Sequence, residues 1–292
     1  MYDIKHESRG LVSHGVSACA GCALELIMRN TMDVLGEDTI AIIPPGCSAL
    51  FSGYGKEAAL KIPGFQGNLE NTAAIAAGVR AALNAKRNKD TTVLAFAGDG
   101  ATVDIGLQAL SGVLERGDRI LYICYDNEAY MNTGVQGSSS TPIYASTTTT
   151  PAGKPTKRKD LMQIAIAHDI PYAATASIHN LNDFRRKLQK AKETDGPALI
   201  HIQTPCPTGW RSEPAKSIEL ARLAVQTGAW ILYEYENGKV KINFKPKELK
   251  PIKDYIKLQG RFKHLQDEDI EELQEIINKN FEKTMKLLEF MS

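Results

Sequence analysis

The chain has 292 residues, 43% of them hydrophobic, and a formal net charge of +1 at neutral pH. That length suffices for one substantial core, and the near-neutral balance excludes the electrostatic footprint that nucleic acid or an anionic membrane demands. Met1-Tyr2-Asp3-Ile4-Lys5-His6 carries charges where a secretory signal needs an apolar core, and no apolar run reaches the length of a bilayer span, so a cytoplasmic, reducing setting is expected.

In chain order, Cys19-Ala20-Gly21-Cys22 comes first and brings two thiols close enough to serve one metal centre. A strand predicted at 39–43 runs into Pro44-Pro45-Gly46-Cys47, and a helix is predicted near 71–86. The apolar run at 91–97 reads as a buried strand and leads straight into Gly98-Asp99-Gly100. A helix near 102–115 and a strand at 119–126 follow, the latter ending at Asp126-Asn127. After a long Ser-, Thr-, Gly- and Pro-rich loop, a helix near 160–168, a strand at 172–177, a helix near 181–193 and a strand at 198–204 close the series, and Cys206 stands just beyond. This alternation predicts an α/β fold with a doubly wound, mostly parallel sheet over 1–213. Residues 214–292 read as a C-terminal extension: a hairpin over 230–244 turning at Asn237-Gly238, then an amphipathic helix over 265–291, packed on the same domain or on a partner subunit.

The chemistry concentrates at the strand exits. Asp99 and Asn127 deliver a carboxylate and a carboxamide oxygen to one sheet edge, the hard donor set that magnesium prefers beside phosphates, and that edge is where open α/β sheets bind ligands. Gly98 and Gly100 let the backbone approach a diphosphate without a Cβ in the way, and a helix starting near Ala101 turns its free N–H groups toward that anion. Of the five cysteines, Cys19, Cys22, Cys47 and Cys206 converge on the same edge and suit either an iron–sulfur cluster or a closed zinc site. Cys124, inside an apolar strand, reads as a core residue.

The segments Ala18-Cys19-Ala20-Gly21-Cys22, Gly46-Cys47, Gly98-Asp99-Gly100, Tyr125-Asp126-Asn127-Glu128-Ala129-Tyr130-Met131-Asn132-Thr133-Gly134, Ser139-Ser140-Thr141-Pro142, Thr147-Thr148-Thr149-Thr150-Pro151 and Pro205-Cys206-Pro207-Thr208-Gly209 occur in this order over about two-thirds of the chain. Together they resemble the thiamine-diphosphate-binding β subunit of a 2-oxoacid:ferredoxin oxidoreductase, most similar to the pyruvate enzymes; Ala23 departs from the glycine common there. The resemblance implies oxidative decarboxylation of a 2-oxoacid, reversible to acyl-CoA, with electrons passing to a 4Fe–4S cluster and then to ferredoxin. It assigns Cys19, Cys22, Cys47 and Cys206 to the cluster, Asp99, Asn127 and the Ala129 carbonyl to magnesium, and Gly98, Gly100, Ala101 and Asn132 to the diphosphate and thiazolium, with Asn132 catalytic and Cys47 also against the cofactor.

The resemblance further implies an α-type subunit supplying the pyrimidine half of the site, γ- and δ-type subunits including a ferredoxin-like one, and coenzyme A as a co-substrate. Glu57 and Glu70 read as solvated or capping residues rather than as the cofactor's activating glutamate. The six histidines share no metal-ligand spacing, and none is read as sitting beside a plausible serine or cysteine nucleophile. Lys154, Lys157, Arg158 and Lys159 read as a solvated charge run, with anion docking second, and the 128–159 loop as an ordered, functional one. Competing expectations are another 2-oxoacid (2-oxoisovalerate, 2-oxoglutarate, oxalate), a non-redox thiamine-dependent decarboxylase or synthase component, and a zinc-stabilised binding protein.

Overall fold

The computed structural model describes residues 10–14, 16–52 and 58–291, so Met1–His6 and Glu57 lie outside the described residues. One eight-stranded sheet organises the chain, with strands β1 (Thr39–Ile43), β2 (Gly64–Gln66), β3 (Thr92–Gly98), β4 (Leu121–Asp126), β5 (Tyr172–Ser177), β6 (Ala198–Gln203), β7 (Leu232–Glu236) and β8 (Lys239–Phe244) in the order β2-β1-β3-β4-β6-β5-β7-β8. The pairings from β2 to β5 are parallel, while β7 joins β5 and β8 joins β7 antiparallel. The expected doubly wound α/β sheet is therefore present. The hairpin read at 230–244 extends that same sheet, with Asn237 and Gly238 both at positive φ in its turn.

Side-chain alternation fixes which helices cover which face. Leu94 and Phe96 of β3 and Leu121, Ile123 and Tyr125 of β4 point to a core closed by α1 (Ala23–Leu35) and by the Leu181–Glu193 helix. Val93, Ala95, Ala97, Tyr122 and Cys124 point the other way, toward the helices Thr72–Ala85, Leu107–Arg116 and Leu161–Ile166. Cys124 is fully buried there. Phe281, Met285 and Leu288 of the C-terminal helix Asp267–Phe290 join this second core. A third cluster lies around Trp210, Leu220, Trp230, Ile256 and Leu273.

Two local departures bear on function. The helix expected from about residue 102 is preceded by a π-helical turn, Gly100–Asp104, and α-helix begins only at Leu107. A wide first turn at a ligand-facing helix start is a recurrent functional device. Helix α1, which begins directly after Cys22, had a legible signal in the apolar spacing Leu24, Ile27, Met28, Met32, Leu35. Among the described residues, no helix is long and apolar enough to cross a membrane.

Candidate active site

Strands β1, β3, β4 and β6 are consecutive neighbours in the sheet, so their carboxyl ends form one continuous edge. Cys47 follows β1, Asp99 follows β3, Asn127 follows β4 and Cys206 follows β6. Register brings Gly98 level with Tyr125 and Asp126 level with Gln203. At this edge a cavity of about 170 Å³ is lined by Cys47, Gly98, Asp99, Gly100, Ala101, Asn127, Ala129 and Asn132. All the cofactor-contacting positions expected from the sequence thus surround one space, with Asn132 exposed at its rim. Glu70 is exposed.

Asp99 is only 1% exposed and receives the Ser138 hydroxyl at 2.5 Å. Burial, and then the neighbouring Asp126 carboxylate, push its pKa well above the usual carboxylate range. The Asn127 carboxamide can stand two ways. With its nitrogen turned inward it donates to the Ala129 carbonyl at 2.8 Å and to Asp99 Oδ1 at 3.0 Å. With its oxygen inward, Nδ2 points to Cys47 Sγ at 4.0 Å, and the oxygens of Asp99, Asn127 and Ala129 face one another with no donor between them. A cation would satisfy that second arrangement.

The glycines on this edge are packed as well as open. A Cβ on Gly100 would run into the Tyr130 ring, and one on Gly98 would lie 3.0 Å from the Tyr125 ring. Tyr130 also donates its hydroxyl to the Gly100 carbonyl at 3.2 Å. The turn after β3 is therefore clamped between two tyrosines, with its first N–H groups left without intrahelical partners.

The thiols gather beside the cavity. Cys22 is raised to about 11 and Cys47 to about 12, in each case first by burial and then by the other cysteines, Cys206 foremost. Cys206 is also raised by burial, although it accepts the Gly209 N–H at 3.3 Å. Cys19 is exposed but adds to the field at Cys22, Cys47 and Cys206. Among the described residues, no three or more His, Cys, Asp or Glu side chains are drawn together tightly enough to clasp a single metal ion.

A family model for the thiamine pyrophosphate enzyme C-terminal TPP-binding domain matches residues 45–202, more than half of the chain. The chain is 51% identical to the pyruvate synthase subunit PorB of Methanothermobacter thermautotrophicus over 90% of its own length and 93% of that protein's. It is 50% identical to the ketoisovalerate oxidoreductase subunit VorB of Pyrococcus abyssi, over 94% and 92% respectively. The chain belongs to the thiamine-diphosphate-binding β subunits of the 2-oxoacid:ferredoxin oxidoreductases. Its fold matches a chain of the 2-oxoglutarate:ferredoxin oxidoreductase from Magnetococcus marinus with a TM-score of 0.60 at 22% identity, covering 74% of this chain and 79% of that one.

In this β subunit the turn carrying Asn127 and Ala129 is held by residues to which sequence reading gave no such role. Trp210 Nε1 donates to the Asn127 carbonyl at 2.8 Å, and the Thr141 hydroxyl donates to the Glu128 carbonyl at 2.6 Å. Glu128, at a positive φ of 68°, is fixed by Arg261, whose guanidinium lies 4.2 Å from the Trp210 ring centroid. Arg158 pairs with Asp126 at 2.5 Å and with Glu128 at 3.4 Å, and His201 Nε2 meets Asp126 at 2.7 Å. Burial opposes ionisation of Asp126, yet Arg158 and His201 outweigh it and hold that carboxyl below its usual range.

The reading of 154–159 as a solvated charge run is corrected in part. Lys154 is buried and donates to the carbonyls of Ser139 and Thr141, and Arg158 is the Asp126 partner; lone backbone carbonyls and buried carboxylates in the folded loop recruit them. The 128–159 loop is anchored by these bonds and by Ser138 and Thr141. The histidines need a smaller correction: His168 Nε2 meets Ser111 Oγ at 2.8 Å, a pairing invisible in sequence because it joins two helices. His168 Nδ1 turns to the Ile164 carbonyl rather than to a carboxylate, which suits an interhelical tie.

Proposed function

We propose that this chain is the cofactor- and cluster-bearing β subunit of a pyruvate:ferredoxin oxidoreductase, with thiamine diphosphate, magnesium and one 4Fe–4S cluster at the β1–β3–β4–β6 edge. The observation that carries the reading is the convergence of Asp99, the Asn127 carboxamide and the Ala129 carbonyl on one cavity beside the cysteine quartet. A buried carboxylate with the Ser138 hydroxyl as its donor and a second carboxylate nearby suits a resident cation, so the residues fit the group. Asp99, Asn127 and the Ala129 carbonyl would hold magnesium. The unpartnered N–H groups of the Gly98–Ala101 turn would receive the diphosphate. Cys19, Cys22, Cys47 and Cys206 would bind the cluster, and Cys47, lining the cavity, would set it against the cofactor.

Thiamine diphosphate supplies the nucleophilic carbon that makes 2-oxoacid decarboxylation feasible, and the protein's task is placement and electrostatics. Asn132 at the rim presents an amide able to donate to the substrate's oxo or carboxylate oxygen. Tyr125 and Tyr130 keep the turn rigid. The buried Arg158–Asp126–His201 cluster fixes the strand end from which Asn127 projects. The activating carboxylate for the pyrimidine half would come from an α-type subunit. Delivery of electrons to ferredoxin would pass through a ferredoxin-like subunit, with coenzyme A accepting the acyl group.

A second reading, with 2-oxoisovalerate as substrate, is favoured by the nearly equal identity to the ketoisovalerate relative. The test is anaerobic reduction of ferredoxin by the purified assembly with each 2-oxoacid, together with its iron and acid-labile sulfide content. Pyruvate-dependent reduction with iron and sulfide in the β subunit supports the proposal. Preference for 2-oxoisovalerate selects the second reading, and a β subunit without iron or sulfide sinks both.

A further inference from the structure

A second cavity lies away from the thiamine edge. It has a volume of about 460 Å³ and is enclosed between the C-terminal helix, the 252–262 segment and the loop 157–163. That volume falls within the range of small-molecule sites. Its walls are mainly apolar, with Met162, Trp230, Ile256, Phe262, Ile277 and Phe281 among them. None of the thiamine or cluster residues lines it, although Glu128, Arg158 and His201, which brace the Asn127 turn, form part of its wall.

Two polar features give the cavity a chemical preference. At its inner end Gln203 is 1% exposed, donates to the Tyr255 hydroxyl at 3.2 Å, and has a side-chain oxygen with no hydrogen-bond partner. A buried acceptor left unpaired costs free energy that a donor entering the cavity would recover. At the mouth, Lys157 and Lys283 line the cavity, and both are exposed. Lys159 is a further cation on this wall, although it is bound to the Val103 carbonyl and Asp104. The acids there are Glu128, which is tied to Arg158 and Arg261, and Asp160, which caps a helix by accepting from the Gln163 N–H. The free cations thus prevail at the opening, while inside an acceptor, Gln203 Oε1, and a donor, Gln163 Nε2, are both buried without partners, and a hydroxyl can pair with either.

We infer that this cavity binds a small amphiphilic carboxylate bearing a hydroxyl or N–H at the end remote from its charge. The apolar body would lie against Trp230, Ile256 and Phe262. The donor would pair with Gln203 Oε1, and the carboxylate would remain between Lys157 and Lys283. The inference stands apart from the proposed function, since it needs neither thiamine diphosphate nor the cluster.

The probe is 4-hydroxyphenylacetate, titrated calorimetrically into the purified full-length chain in its assembly, with phenylacetate and tyramine as controls. Saturable binding of 4-hydroxyphenylacetate with a dissociation constant of about 1 mM or below is expected. Phenylacetate, lacking the donor, should bind roughly five-fold more weakly. Gln203→Leu should erase that difference, and Lys157→Glu with Lys283→Glu should weaken both acids about tenfold while leaving the fold intact. Because the lysines are exposed, their variants test the site even if Gln203→Leu fails to fold. Absence of saturable binding, equal binding of tyramine, or displacement by saturating pyruvate would overturn the inference, the last by assigning the probe to the thiamine cavity.

Discussion

Two buried carboxylates in this molecule have opposite surroundings. Glu234, on β7, is held by Arg186 at 2.9 Å and Lys190 at 3.3 Å, and also accepts from Tyr172 and Asn243. Burial acts to raise its pKa, but these partners outweigh it and hold the carboxyl at about 2. Asp99, on the thiamine edge, has one hydroxyl donor and a second carboxylate, Asp126, as its main electrostatic neighbour. The first carboxylate is finished by its own chain. The second keeps a like charge as its neighbour, and the thiols nearby are raised by burial and by one another. Structural polar groups are satisfied in the fold, whereas under the proposed function those of the thiamine edge would be satisfied by the bound groups.

The largest effect expected from this contrast is at the cysteines. Under the proposed function, alanine at Cys19, Cys22, Cys47 or Cys206 should each abolish cluster absorbance and electron transfer, because each would remove a ligand. Cys124→Ala, in a fully buried core position, should retain the cluster. Iron content and visible absorbance decide it, and a cluster that survives Cys206→Ala but not Cys124→Ala would show the quartet to be wrongly drawn.

Next in size is the buried pair behind the site. Arg261→Ala leaves buried Glu128 with only the longer 3.4 Å contact to Arg158, and chemical denaturation should show a loss of about 3 kcal/mol. A loss below ~1 kcal/mol would mean that the turn carrying Asn127 does not depend on this pair.

The smallest effect is at the finished carboxylate. Since the folded pKa of Glu234 is depressed, its stabilisation is present above the unfolded value near 4.5 and is lost as pH falls toward about 2. Glu234→Gln should therefore cost about 1–2 kcal/mol at neutral pH, after allowance for solvent screening, and flatten the acid limb of the stability curve. An acid limb identical to the wild type would remove Glu234 from the account.

The sheet edge was legible because β-strands advertise their ends. The apolar runs before Gly98-Asp99-Gly100 and before Asp126-Asn127 locate those residues without knowledge of the tertiary fold. The residues that hold them were not legible: Arg261 reaches Glu128 across 133 positions, and Ser138 reaches Asp99 across 39. Such contacts follow from how the loops cross the sheet edge, which no local pattern encodes. The basic run at 154–159 misled for the same reason, since composition cannot reveal a buried acceptor waiting for Lys154 or Arg158. Helix α1 was different, for its apolar spacing was present in the sequence beside the more conspicuous cysteines.

The claim that Asp99 is built for a cation is tested most directly by comparing the denaturant stability of wild type and Asp99→Asn, with and without magnesium and thiamine diphosphate. Without ligands the variant should be as stable as wild type or more so, because an uncompensated buried charge has been removed. With ligands the wild type alone should gain stability, and cofactor affinity in the variant should fall by on the order of a hundredfold. A variant that loses stability in the ligand-free state yet keeps the full magnesium-dependent gain would contradict the account.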